Sequence, residues 1–426
     1  MRKILGLVAI ATSGIAFSQF SVKIEASSNF TPKEAYLYTL NGSKDILQSK
    51  GNRVGNNWSF SLSKPYSGMM KIYFPDTNTS VNFISENKDV QFKIETKDDK
   101  VTNVEYLDMT NKLMHDLQDN QQKKEYILPA LYQIKEYYKN NSDFGKALDA
   151  EINSLSKSAP NSDQYPFISF YTTNYAKFVT KDPTKPITSD EVITFVSKSN
   201  DRLETSSLLR PTLLSYLNMA SKDDLTGAID KLLTAVNVET PRGQTVMSEL
   251  IDIFNVYGMN DLKVKYLDQA KALKCTLNDR LTETLAVNAN TEVGAKFPDN
   301  KFVNATNTKA KSLHEIKANK RVIMFWSSTC SHCEKELPEL LAVYNEFKKQ
   351  NIEIIGLSLD ADKASYTNKV SNLPWINDSE LKGWYSSYGE KYNVHATPTY
   401  YILDSSNKII AKPDHAADVI KFFNVK

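Results

Sequence analysis

Hydrophobic and polar residues alternate in short segments from about residue 19 to residue 105, which is the pattern of β-strands with one buried face. Asn, Gly, Ser, Asp and Pro separate the segments, and Asn41-Gly42 predicts a hairpin turn. The six segments are FSVKIEA, AYLYTL, NWSFSLS, MMKIYF, SVNFIS and VQFKIE. Residues 19–105 are therefore predicted to form an N-terminal antiparallel β-sandwich. Its large aromatic side chains are expected in the core rather than on a ligand-binding face.

The pattern changes to a helical period over residues 106–290. Thr240 can cap a helix whose first turn contains Pro241, and Gly258 is expected to end it. One face of this helix is apolar: Met247, Leu250, Ile251, Phe254 and Tyr257. A second helix follows after a short link. This region is predicted to be an all-α domain, and an array of helical hairpins remains open.

Strands and helices alternate in residues 291–426, which predicts an α/β domain. Lys320–Trp326 and Ile352–Leu359 are apolar strands, and a helix from Cys330 to about Gln350 lies between them. The remaining predicted elements are a helix at Asp378–Tyr388, a hairpin formed by Thr399–Leu403 and Lys408–Ala411, and a closing helix at Asp414–Phe423. The chain is thus expected to have three domains.

Residues 1–18 have the pattern of a cleavable secretory signal. Arg2 and Lys3 precede the apolar run Ile4 to Phe17, and small residues precede Gln19. The run is too short to span a bilayer comfortably, although an uncleaved anchor is the alternative. No cysteine lies near the cleavage point, so no lipid attachment is expected there. The predicted location is the periplasm, with no membrane span in the mature chain.

The amino-acid composition is that of an ordinary globular protein and indicates no special class. Hydrophobic residues make up 41% and charged residues 24%, with a formal net charge of +2, so we expect no nucleic-acid partner. Three cysteines are few for an exported protein of 426 residues. Stability must therefore come from apolar cores, and thiol chemistry is concentrated in one segment.

That segment is Cys330-Ser331-His332-Cys333. At a helix N-terminus the two thiols lie nearly one turn apart on the same face, close enough to form a disulfide. Unpaired N–H groups and the helix dipole favour a thiolate there. A zinc site is the alternative, but it needs two more ligands, and Cys275 and five unpaired histidines offer none at suitable spacing. A purely structural disulfide also remains open; no metal or organic cofactor is expected.

About Val293 to Lys426 resembles the thioredoxin fold, and most closely its extracytoplasmic thiol-disulfide branch, the TlpA/ResA-like proteins. The resemblance rests on GAKFPD, SLHEIKANKRVIMFW, CSHC, Leu337-Pro338 and TPTYYILDSSNKII. It implies that Cys330 attacks a substrate disulfide and that Cys333 resolves the mixed disulfide. It further implies that Pro398 follows a cis peptide bond facing the dithiol, where Thr397 pairs with an extended substrate segment. Without the resemblance, Thr-Pro is also consistent with an ordinary turn at a strand entry.

Glu336 matches a family glutamate thought to handle protons. It lies three residues beyond Cys333 and therefore on the same helical face, where a partly buried carboxylate can accept the proton of that thiol. The alternative is an exposed glutamate that complements the helix dipole.

Two residues depart from common thioredoxin patterns: Thr329 replaces tryptophan, and Met324 replaces a buried aspartate. His332 and Trp326 are expected to support the site. Protonated His332 can stabilise the Cys330 thiolate, or it faces solvent with little effect.

The sequence thus predicts a thiol-disulfide oxidoreductase of the cell envelope that acts as a reductase or isomerase on exported proteins with disulfides. A membrane thiol relay would supply its electrons. The alternatives are a binding or assembly module with a redox-sensing domain, and a peroxidase, which the nearby second cysteine disfavours. Cys275 is expected to be a small buried residue without a redox role. Redox direction and homodimer formation stay open.

Overall fold

The computed structural model describes residues 20–138, 142–156, 164–180, 186–221 and 224–425. The predicted signal, residues 1–18, lies outside the described residues. The chain divides into two compact units. One contains the chain up to residue 175 together with 204–207, and the other contains 176–203 and everything from 208 onward. The predicted helical region thus contributes residues to both units.

The first unit contains two four-stranded sheets, ordered β4-β1-β7-β8 and β3-β2-β5-β6. The strands are β1 Phe20–Ala26, β2 Glu34–Asn41, β3 Lys44–Asn52, β4 Asn57–Leu62, β5 Ser67–Phe74, β6 Thr79–Glu86, β7 Val90–Lys97 and β8 Lys100–Tyr106. The six predicted strands are confirmed, and β2 and β3 form the predicted hairpin. The second strand of that hairpin, β3, and the strand β8 lie outside the six segments because their burial does not alternate regularly; β8 is the strand that the sequence did not indicate. β1 and β7 pair in parallel, which the long chain between them permits.

One apolar core lies between these sheets, so the predicted sandwich is confirmed. Val22 and Ile24 of β1 point into it, and Lys23 between them points outward. The aromatic rings of Phe30, Trp58 and Phe74 pack edge to face, with centroids 5.0–6.1 Å apart. These rings are core residues, as expected.

Among the described residues that follow β8 in the first unit, the helices are α1 Met109–Tyr126, α2 Leu128–Lys135, α3 Asp143–Ser156 and α4 Pro166–Asn174. Asn111 of α1 joins the sheet edge, because its side chain accepts from the Ile84 N–H at 2.7 Å and donates to the Ile84 carbonyl at 2.9 Å. This contact satisfies backbone groups that an edge strand would leave unpaired.

A π-helical stretch at Tyr175–Thr180 leads into a helical layer. Its helices are α5 Ser189–Lys198, α6 Arg202–Thr205, α7 Leu209–Met219, α8 Leu225–Val236, α9 Pro241–Val256, α10 Asn260–Lys271 and α11 Asp279–Thr291. Thr240 caps α9 by accepting from the Gly243 N–H, as predicted. Most of α9 is buried, and its two acidic residues are paired: Glu249 accepts from Arg210 at 3.0 Å, and Asp252 contacts Arg280.

The C-terminal domain is a five-stranded sheet ordered β11-β10-β9-β12-β13. The strands are β9 Lys320–Trp326, β10 Ile352–Ser358, β11 Ile376–Ser379, β12 Thr399–Asp404 and β13 Ile409–Ala411. The helices are α12 Ser331–Lys349, α13 Lys363–Val370, α14 Tyr388–Tyr392 and α15 Ala416–Phe422. β9, β10 and β11 are parallel to one another. β12 is antiparallel to β9, and β13 is antiparallel to β12. Apolar cores cover both faces of the sheet, which confirms the predicted α/β class.

The predicted helix at Asp378–Tyr388 is wrong. The segment begins in edge strand β11, continues through a 3₁₀ turn and enters α14 only at its end. The sequence of β11 lacks the apolar pattern of a buried strand, because it contains polar residues that are buried in the fold, among them Asp378. Asp378 accepts from the backbone N–H groups of Val303 and Asn304 at 2.9 and 2.7 Å, and burial raises its pKa.

Candidate active site

Cys330 is the N-cap of α12, and Cys333 lies in the first turn of that helix. The Cys330 sulfur accepts a hydrogen bond from the Cys333 backbone N–H at 3.2 Å. Cys330 is partly exposed, whereas only 1% of Cys333 is exposed. Both are free thiols. A client disulfide can therefore reach Cys330 but not Cys333.

The Thr397–Pro398 peptide bond is cis, as the resemblance implied. The Cys330 thiol donates to the Thr397 carbonyl oxygen, with a sulfur–oxygen distance of 3.2 Å. The structure thus brings Cys330, Cys333 and the Thr397–Pro398 loop together, although about 65 residues separate them in sequence.

The two thiols differ in acidity. Burial alone would raise the pKa of Cys330, but hydrogen bonds from the Cys333 thiol and from the backbone N–H groups of Cys333 and His332 outweigh it and lower the pKa. Burial, together with the adjacent Cys330 sulfur, raises the pKa of Cys333 to about 12. Because the thiolate is the nucleophile in disulfide exchange, this asymmetry favours Cys330 over Cys333 as a nucleophile.

Glu336 is enclosed, with 13% of its side chain exposed. Its Oε2 accepts from the Tyr400 hydroxyl at 2.8 Å and from the Ala416 N–H at 2.9 Å, and its Oε1 lies 3.0 Å from Nδ1 of His415. Glu336 is therefore a tethered carboxylate rather than a freely exposed one. Burial and then Glu336 raise the pKa of Tyr400, and Cys333 adds a smaller contribution. Cys333 and Tyr400 belong to the same apolar core.

His332 and Trp326, the two residues expected to support the site, contribute through their backbone groups. The His332 side chain is exposed, and it is its backbone N–H that helps to lower the pKa of Cys330. Trp326 is fully buried at the end of β9, and its carbonyl accepts from the Leu359 N–H at 2.7 Å. Trp326 thus fixes the start of the loop that leads to Cys330.

Asp360, which sequence reasoning missed, holds this same loop. Its buried carboxylate accepts from the Ser327 hydroxyl at 2.9 Å, the Ser328 hydroxyl at 2.7 Å and the Ser328 N–H at 3.0 Å. The Ser358 hydroxyl donates to it at 2.6 Å. The sequence signal was an aspartate directly after a buried parallel strand, where the carboxyl ends of neighbouring strands meet.

Cys275 lies apart, in the helical layer after α10. It is half-buried rather than buried, and Nε2 of Gln244 lies 3.4 Å from its sulfur. Across the described ranges, His, Cys, Asp and Glu side chains form no group of three or more that could hold a metal ion. Within those same ranges, every helix is too short or too polar to cross a membrane.

Comparison with known proteins places residues 293–412 in the AhpC/TSA family model. Over 109 residues the chain is 26% identical to the thiol-disulfide oxidoreductase ResA of Bacillus subtilis (strain 168), covering 25% of this chain and 58% of that relative. It is 29% identical over 122 residues to the protein of that name from Bacillus thuringiensis subsp. konkukian (strain 97-27), covering 28% of this chain and 68% of the relative.

Among solved structures, the chain is similar to the thioredoxin domain of a thiol-disulfide oxidoreductase from Bacteroides vulgatus. The match has 25% identity and a TM-score of 0.29, and it covers 31% of this chain and 96% of that one. By the family model and the curated relatives, the C-terminal region is an AhpC/TSA-type, thioredoxin-like domain that is similar in sequence to thiol-disulfide oxidoreductases. The resemblance inferred from sequence is confirmed for this region.

Proposed function

We propose that this chain exchanges disulfides with exported proteins of the cell envelope, as a reductase or isomerase, through Cys330 and Cys333. The observation that carries the proposal is the asymmetry of the dithiol: an accessible Cys330 of lowered pKa lies beside a buried Cys333 of raised pKa. The envelope location rests on the signal-like residues 1–18, which predict export.

In the reducing direction, the Cys330 thiolate attacks one sulfur of a client disulfide. A Cys330–client bond forms, the client bond breaks, and the departing client thiolate takes up a proton. Cys333 then loses its proton and attacks the Cys330 sulfur. The Cys330–client bond breaks, and the second client thiolate takes up a proton. The products are a Cys330–Cys333 disulfide and a client dithiol, so two electrons pass to the client.

The second step needs a proton acceptor, because Cys333 is protonated at neutral pH. Glu336 lies three residues beyond Cys333 on α12, and the Tyr400 hydroxyl donates to its carboxylate at 2.8 Å. The proton of Cys333 passes to Glu336 through the Tyr400 hydroxyl or a water molecule. The exposed His415, which contacts Glu336, provides the route to solvent.

The client chain is held at the Thr397–Pro398 loop. Thr397 lies two residues before β12, and its carbonyl oxygen accepts from the Cys330 thiol. An extended segment can therefore add backbone hydrogen bonds there while its disulfide faces Cys330. A membrane thiol relay re-reduces the Cys330–Cys333 disulfide after each cycle.

Two measurements test the proposal. The reduced chain should catalyse reduction of insulin by dithiothreitol, and Cys333→Ala should accumulate mixed disulfides that Cys330→Ala does not. Cys275→Ala is the matched control and should behave as the unsubstituted chain. Trapping through Cys333 alone would show the roles to be reversed. Absence of turnover would favour a binding or assembly module with a redox-sensing domain.

A further inference from the structure

Trp384 is an exposed tryptophan in a protein that otherwise buries this residue. The chain has four tryptophans, and Trp58, Trp326 and Trp375 are at most 1% exposed, whereas Trp384 is 56% exposed. A single exposed apolar side chain is common and by itself indicates nothing. The position of Trp384 relative to the dithiol is the observation that suggests a role in substrate binding.

Trp384 lies at the sheet edge that carries the dithiol. β9, β10 and β11 are parallel and in register, with Ser358 opposite both Trp326 and Ser379. The segments that follow these three strands therefore emerge at one edge. In open α/β sheets, ligands bind at the carboxyl ends of the strands.

A chain of hydrogen bonds joins the Trp384 turn to the loop before Cys330. The Gly383 N–H donates to the Asp360 carbonyl at 3.3 Å, and the Asp360 carboxylate holds Ser327 and Ser328. The residue next to Trp384 is thus bonded to the residue that positions the active-site loop.

The turn is also anchored on its own side. The Leu381 N–H donates to the Ser379 hydroxyl at 3.1 Å, and its side chain packs against the core under α12. The Ser387 N–H and hydroxyl donate to Glu380 at 3.0 and 2.5 Å. Gly383 has φ +56°, which favours glycine, so the backbone at Trp384 is held in one shape. An exposed ring on a fixed backbone has little conformational entropy to lose on binding.

We propose that Trp384 is a specificity-determining contact for extended polypeptide substrates that carry an apolar side chain close to the disulfide cysteine. This inference rests on the proposed function. The Thr397–Pro398 loop binds the backbone of the client, and the Trp384 ring covers an apolar side chain beyond the cysteine. The residue before Cys330 is Thr329, and Trp384 supplies an aromatic surface from another segment. Small disulfides without a flanking chain cannot reach it.

The first experiment compares two substrates. One is a peptide disulfide with Phe beside its cysteine, and the other is glutathione disulfide; kcat/KM is measured for each with Trp384→Ala and Trp384→Phe. The ratio of peptide to glutathione kcat/KM should fall about ten-fold in Trp384→Ala and should be largely restored in Trp384→Phe. Tyr257→Ala, at a residue that is 59% exposed beside α9, is the matched control and should leave the ratio unchanged.

An unchanged ratio in Trp384→Ala, or an equal fall for both substrates, overturns the inference. Absence of turnover on both substrates by the unsubstituted chain instead overturns the proposed function. The two failures are therefore distinguishable.

The second experiment keeps Trp384 in place. The Phe-flanked peptide is trapped on Cys330 in Cys333→Ala, and acrylamide quenching of tryptophan fluorescence is measured before and after. Because Trp384 is the one described tryptophan open to solvent, quenching should fall by about half with this peptide and stay unchanged with trapped glutathione. Equal quenching in the free and peptide-trapped forms contradicts the proposal.

Discussion

Glu336→Gln separates the two steps of the proposed exchange. Gln has almost the same shape, and its amide oxygen can still accept from the Tyr400 hydroxyl and the Ala416 N–H. The substitution removes the carboxylate that would accept the proton of Cys333. Cys330 attack should therefore be unaffected, whereas resolution by Cys333 should slow by about 10²-fold, since general base catalysis is typically worth 10²–10⁴-fold.

The stability cost follows from the same contacts. Two hydrogen bonds change from a charged to a neutral acceptor, which weakens each by about half, or about 1–2 kcal/mol in total. The His415 contact adds less than about 1 kcal/mol because 71% of that imidazole is exposed. Its hydrogen bond with Glu336 raises the pKa of His415. That contribution is complete below about pH 6.5 and disappears as the pH rises through the raised pKa, so Glu336→Gln should cost more stability at pH 6 than at pH 9.

Stopped-flow reaction with Ellman's reagent reports both steps. Attack by Cys330 releases one thionitrobenzoate, and resolution by Cys333 releases a second. Glu336→Gln should retain the first rate and lose the second, while Glu339→Gln, a substitution at an exposed position of the same helix, should retain both. A normal second phase in Glu336→Gln, or equal slowing in Glu339→Gln, would refute the role of Glu336.

Three further results are expected. The rate at which iodoacetamide alkylates Cys330 should rise with pH and then reach a plateau, with its midpoint below the usual thiol pKa of about 8.5. A midpoint at or above that value would contradict the lowered pKa of Cys330. Asp360→Asn should lower the free energy of unfolding, measured by urea titration, by about 2–4 kcal/mol because it weakens the hydrogen bonds that hold the loop. The control is Asp404→Asn, at a half-buried turn carboxylate that accepts from backbone N–H groups, which should cost less than about 1 kcal/mol. Equal costs would refute the loop-anchoring role of Asp360. Gly356→Ala should lower the free energy of unfolding by about 1–3 kcal/mol, because a Cβ there would lie 2.5 Å from a buried amide oxygen. Gly389→Ala, where the nearest atom to a Cβ lies at 3.6 Å, should be tolerated. Thermal unfolding measures both variants, and an unchanged stability of Gly356→Ala would contradict the packing.

The predicted features that the structure confirms depend on local signals. The helix after Cys330, the Thr240 cap and the alternating strands each follow from residues within a few positions of one another. The cis bond before Pro398 followed from the family resemblance, since Thr-Pro alone also fits an ordinary turn.

The features that sequence reasoning missed depend on distant residues. Tyr400 and His415 reach Glu336 across 64 and 79 positions, and no local pattern indicates such contacts. The helix predicted at Asp378–Tyr388 overlaps the end of β11, where Asn377 and Asp378 are polar but fully buried. Their burial depends on loop backbone groups and neighbouring side chains that only the folded chain brings to them.

The most direct test of the account is a redox titration of the whole chain in glutathione buffers, followed by peptide mapping of each equilibrated sample. The account predicts one reversible two-electron transition in which Cys330 and Cys333 become a disulfide while Cys275 stays a free thiol. A disulfide that includes Cys275, or no reversible transition across the range of the buffers, would contradict it.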